Sequence, residues 1–71
     1  MSDSVHDDIR TTSDAIENDA ELLADVERKK QDPAANDEDL QRLASHAEVL
    51  ARRISDMTRI EKKLVDRAAK S

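Results

Sequence analysis

Glycine, cysteine and every aromatic residue are missing from this chain of 71 residues, and proline occurs once. Without cysteine there is no disulfide framework, no thiolate nucleophile and no zinc site built on sulfur. Without glycine there is no phosphate-cradling loop of the dinucleotide or P-loop kind. Without Trp, Tyr or Phe there is no platform on which unpaired bases stack. No apolar run approaches the roughly 20 residues that a bilayer-crossing helix needs. The opening Met1-Ser2-Asp3-Ser4 is acidic rather than signal-like. Small secreted domains usually reinforce a thin core with disulfides, so their absence here points to a soluble, cytoplasmic chain.

What is present is a repeated aliphatic spacing. Val5, Ile9, Thr12, Ile16, Asp19, Leu23 and Val26 alternate steps of four and three. Leu40, Leu43, Ala47, Leu50, Ile54 and Met57 do the same, and the pattern continues to Leu64 and Ala68. Such a/d seams belong to helices, because strand alternation has a period of two. Ile60 and Val65 sit beside the second seam, and Glu61 falls on it. Alanines at 15, 20, 44 and 51 widen the stripe beyond a strict two-helix seam, as bundle helices require. The pattern breaks once, over Gln31-Asp32-Pro33-Ala34-Ala35-Asn36-Asp37.

The ends agree with that division. Ser4 is expected to cap a first helix, with Asp7 and Asp8 in its opening turn and Arg28-Lys29-Lys30 closing it. Pro33 cannot continue a helix interior, and Asn36 or Asp37 can cap a second helix that runs toward Arg67 and Lys70. The spacing therefore predicts an all-α, antiparallel two-helix hairpin, with helices at about 4–31 and 37–69 in one domain spanning 1–71. Charge is distributed to match. Residues 1–27 carry a net −8 and residues 28–71 a net +3, with seven bases against three acids in 50–71. A short turn sets the acidic start of the first helix beside the basic end of the second, which selects orientation more than it adds stability. That folding opposes Val26 to Leu43, Ile16 to Arg53 or Ile54, and Val5 to Leu64, with Asp19 within reach of Arg53.

Large aliphatics (Leu, Ile, Val) make up 14 of the 71 positions, close to the roughly 20% level at which folding alone becomes marginal. A lone hairpin needs more apolar surface than it owns, which points to a homodimeric four-helix bundle or a helical partner. The expected interface is Val5, Ile9, Ile16, Leu23, Val26, Leu40, Leu43, Ala47, Leu50, Ile54, Met57 and Leu64.

Chemistry finds little support. His6, Asp7 and Asp8 point about 100° apart on a helix and cannot converge on one ion, so no metal is expected. His46 lies beside the second seam, where an amphipathic edge role outweighs pH sensing. Carboxylates are abundant, but two helices make no cleft that shifts a pKa and excludes water, so neither enzymatic activity nor a cofactor or small-molecule substrate is expected. Arg52, Arg53, Arg59, Lys62, Lys63, Arg67 and Lys70 could meet phosphates, but the acidic helix alongside cancels much of that field. Thr12 and Asp19 are polar intruders on the first seam, of the kind that selects register or oligomer state.

Leu43-x-x-His46-Ala47-Glu48-x-Leu50-x-Arg52, preceded by an acidic turn, resembles the second helix of the plasmid-encoded Rop family. Members of that family are short hairpins that dimerise into antiparallel four-helix bundles and bind paired RNA loops. The likeness covers about ten residues and implies the architecture. The family's RNA contacts lie on the first helix, through basic, amide and aromatic side chains. Here that helix is acidic and lacks Phe, so RNA binding does not carry over. In length and helix pattern the chain is also similar to the small co-chaperones of type III secretion needles. The hairpin phosphatases of the sporulation phosphorelay carry Ser-x-x-x-Asp on helix two, whereas here Ser45 is followed four places on by Val49.

The expectation is a non-enzymatic protein–protein interaction module, a self-associating scaffold, adaptor or co-chaperone whose partner is itself or another helical protein. The alternative is a nucleic-acid-linked regulator: an RNA-binding four-helix bundle, or an acidic mimic that inhibits a nucleic-acid-binding protein.

Overall fold

A computed structural model describes residues 4–70. It contains two helices, α1 (Ser4–Lys30) and α2 (Asp37–Ala69), and no strand among the described residues. Their 27 and 33 residues correspond to lengths of about 40 and 50 Å at the α-helical rise. The molecule measures 53 × 14 × 12 Å, so the helices lie side by side along nearly their whole length. No described helix is long and apolar enough to cross a membrane.

The connection shows how a glycine-free chain reverses direction. Lys30 is the last residue of α1, one before the expected end. Gln31 N and Asp32 N donate to Arg28 O and Lys29 O at 3.1 and 3.2 Å, tightening the last turn. Asp32 then opens a β-turn with Pro33 at its second position, closed by Ala35 N donating to Asp32 O at 3.0 Å. The Asp32 carboxylate accepts from Ala34 N at 2.9 Å, the local bond for which Asp is favoured at turn starts. No described residue has a positive φ, so the turn needs no left-handed position and glycine is dispensable.

Asn36, in extended geometry (φ −90°, ψ 176°), caps α2 by accepting from Asp39 N at 2.8 Å. A cap of this kind is worth about 1 kcal/mol. At the other end, Lys70 N donates to Asp66 O and Arg67 O. Ser4, expected as the α1 cap, is instead its first helical residue, and the position before it lies outside the described residues.

The core is short and sits toward the turn. Val26, Ala47 and Leu50 are buried together, with Leu23 and Leu43 packed against them, so Val26 and Leu43 occupy the same layer as the antiparallel register requires. Leu64 is buried separately near the open end of the hairpin. Leu50 is the most enclosed large side chain, at 1% exposure.

Candidate interaction surface

Of the twelve seam residues expected at an interface, Val26, Ala47, Leu50 and Leu64 are buried inside the hairpin itself. The other eight, Val5, Ile9, Ile16, Leu23, Leu40, Leu43, Ile54 and Met57, are half-buried. Each helix covers one side of the partner's seam and leaves the other side open. That is the geometry of helices with a broad apolar stripe and a single neighbour.

Four large aliphatics stand outside the seam: Leu22, Val49, Ile60 and Val65, between 47 and 53% exposed. Leu22 and Val49 escape a seam-only reading of the sequence. The signal for them is the adjacent pairs Leu22-Leu23, Val49-Leu50 and Leu64-Val65. Neighbours on a helix point about 100° apart, so one member of each pair must leave a narrow seam.

Lys29 of α1 and Arg42 of α2 line one shallow depression near the turn, which fixes their flanks to the same side. Leu22 and Val49, one heptad away from Lys29 and Arg42, share it with Asp25, His46 and Arg53. A second depression on α1 is lined by Asn18, Glu21, Leu22, Ala24, Asp25 and Arg28. Ile16, Ala20 and Glu27 of α1 lie on the other side with Ala44, Glu48, Ala51 and Ile54 of α2, the isoleucines half-buried and the rest exposed.

Asp19 is the polar exception in the interior. It is 4% exposed and is held by Arg53, whose Nη2 donates to Asp19 Oδ1 at 3.2 Å. Arg53 Nε lies 3.1 Å from Oδ2 as a charge neighbour, yet that oxygen is buried and accepts no aligned hydrogen bond. Arg53 itself keeps 61% of its side chain in solvent. Thr12, the other polar residue of the first seam, is half-buried and satisfied locally, its hydroxyl donating to Asp8 O at 2.8 Å. Thr58 bonds back to Ile54 O in the same way.

The remaining charge is mostly local. Arg28–Asp25, Lys30–Glu27 and Arg42–Asp39 pair three residues apart, and Arg52–Glu48 and Lys62–Asp66 four apart. Exposed pairs of this kind contribute a few tenths of a kcal/mol each. Asp7, Asp14 and Glu17 on α1 and Arg59 and Lys63 on α2 make no ion pair among the described residues. His6 and His46 are both exposed, and no group of three or more metal-ligating side chains converges among the described residues. Comparison with protein-family models, with curated proteins and with solved structures finds no match.

Proposed function

We propose that this chain is a non-enzymatic protein–protein interaction module that associates with itself, two hairpins completing a four-helix bundle that serves as a small scaffold or adaptor. Surface area carries the reading. The hairpin exposes 5498 Å², whereas a compact monomer of 8.0 kDa exposes roughly 4,450 Å² by the usual mass scaling. The excess of roughly 1,000 Å² is about what one partner buries in a standard interface. The radius of gyration, 16.2 Å, likewise exceeds the roughly 11 Å of a compact domain of this length. Burial of the half-covered Ile9, Ile16, Ile54 and Met57 against a second hairpin supplies the driving force, and charge sets orientation.

Self-association makes folding concentration-dependent, because the bundle is favoured over the unfolded chain by mass action. Thermal melts followed by helicity should therefore give a Tm that rises over a hundredfold increase in concentration. A Tm independent of concentration would reject self-association and leave the open seam to a different helical protein.

A further inference from the structure

We propose that the side of the hairpin carrying Leu22, Val49 and Ile60 is a docking surface for an acidic amphipathic helix of another protein. The proposal extends the adaptor reading above and does not depend on self-association.

Heptad steps define that side. Lys29, Asp39 and Arg42 line one depression near the turn. Steps of seven lead from Lys29 to Leu22 and Asp8, from Asp39 to Arg53 and Ile60, and from Arg42 to Val49 and Lys63. These rows keep their side along α2. The neighbouring seam stays buried or half-buried as far as Ala68, while Arg53, Ile60, Lys63 and Arg67 are exposed.

Apolar surface is concentrated there. Of the four exposed large aliphatics, only Val65 lies elsewhere. Asp19 bonds Arg53, and Leu22 and Val49 each lie about one turn from that pair toward the reversal, so they stand at the same level on the two helices. Ile60 follows Val49 by eleven residues, three turns and about 16 Å further along α2. A helix laid along the groove between α1 and α2 can meet these positions with aliphatic side chains spaced by whole turns, as helix-in-groove recognition requires.

Charge then selects the occupant. The bases on this side are Lys29 of α1 and Arg42, Arg53, Lys63, Arg67 and Lys70 of α2. The acids are Asp8 and Asp25 of α1 and Asp39 and Asp56 of α2. Six against four is a net +2, on a chain of net −5 whose remainder is therefore −7. Asp25 and Asp39 are already engaged by Arg28 and Arg42, whereas Lys29, Lys63 and Lys70 make no ion pair among the described residues.

Other occupants fit less well. A second copy docking by the same side would set +2 against +2, and the acidic outward row of α1, Asp7, Asp14 and Glu21, holds no aliphatic. An anionic bilayer would be repelled by the remaining −7, and the chain has no aromatic side chain to anchor at a headgroup layer. A helix that carries both carboxylates and aliphatics answers the positive charge and the apolar positions together.

The test uses two synthetic peptides of about 20 residues, long enough as helices to span about 30 Å. Both carry Leu at positions i, i+4 and i+11, and they differ only in having Glu or Lys at the flanking positions. Fluorescence anisotropy against the full chain is expected to show saturable binding of the Glu peptide and none of the Lys peptide. Ile60→Ser should weaken the Glu peptide about tenfold, the worth of one large aliphatic withdrawn from the contact. Its helicity should be unchanged, because Ile60 is 53% exposed. Lys63→Glu should weaken binding as well, as should about 1 M salt, where the Debye length falls to about 3 Å. Equal binding of the two peptides, no binding of the Glu peptide, or undiminished binding by Ile60→Ser would each overturn the site. Sedimentation with phosphatidylserine vesicles in place of peptide binding would overturn it in favour of a lipid surface. Self-association is read separately, from the concentration dependence of Tm, and stands or falls without it.

Discussion

Leu50→Asp abolishes association and removes most of the helicity together. Leu50 is 1% exposed and sits in the one contiguous core cluster, between Val26 and Ala47. Truncating a buried leucine to alanine already costs about 2–5 kcal/mol. A carboxylate in its place adds the cost of an unpaired charge in an apolar layer, again several kcal/mol. Proteins are stable by only about 5–15 kcal/mol in total, and a domain this thin falls at the low end. Circular dichroism and solution mass on the same sample check the outcome. A variant that stayed fully helical and equally associated would show that the seam lies elsewhere. Glu48→Ala, two residues away on the exposed side, should leave both readouts nearly unchanged, since its ion pair with Arg52 is wholly at the surface.

The second large effect has opposite signs at two positions in contact. Asp19→Leu should raise stability by about 1–3 kcal/mol, because a well-packed apolar side chain commonly outperforms a buried ion pair at the same site. In a domain of this size that is a rise of roughly 4–8 °C in Tm per kcal/mol. The reason lies in the geometry: Asp19 is almost wholly buried, one of its oxygens accepts no hydrogen bond, and its partner remains mostly in solvent. Arg53→Met should do the reverse, lowering stability by about 1–3 kcal/mol by leaving the buried carboxylate without its cation. Combined with Asp19→Leu, Arg53→Met should become nearly neutral, and the difference is the coupling energy of the pair. Denaturant melts of the four proteins measure it. Loss of stability in Asp19→Leu would show instead that the ion pair is a net stabiliser. The residue's use is then specificity: a polar position on the seam disfavours slipped registers that would bury Asp19 without Arg53.

Much of this architecture was legible in the residues, for identifiable reasons. The four-three spacing located both helices to within a residue, because only a helix turns those positions to one side. Pro33 located the reversal, because it has no amide to continue the ladder, and the Asp32 carboxylate, accepting from Ala34 N, holds the turn. The antiparallel register brought Asp19 to Arg53 as the spacing required.

Other features were not legible. Ser4 is helical rather than a cap, since a cap depends on one residue's backbone angles and propensity fixes ends only loosely. The opposed charge of the helix halves points to orientation rather than to particular pairs, and most of the ion pairs form within one helix, where residues three or four apart are already neighbours and lose less side-chain entropy on pairing. Of the residues expected at an interface, Val26, Ala47, Leu50 and Leu64 are buried in closing the hairpin itself. The other seam residues keep a half-buried margin open. A periodicity of three and four marks the apolar side of each helix without dividing it between two neighbours.

The most direct test is solution mass by light scattering over a concentration series, with helicity recorded on each sample. Self-association through the open margin of the seam predicts a helical particle of twice the 8.0 kDa chain mass, dissociating and losing helix together on dilution. A fully helical particle that remains at 8.0 kDa across the series would contradict it.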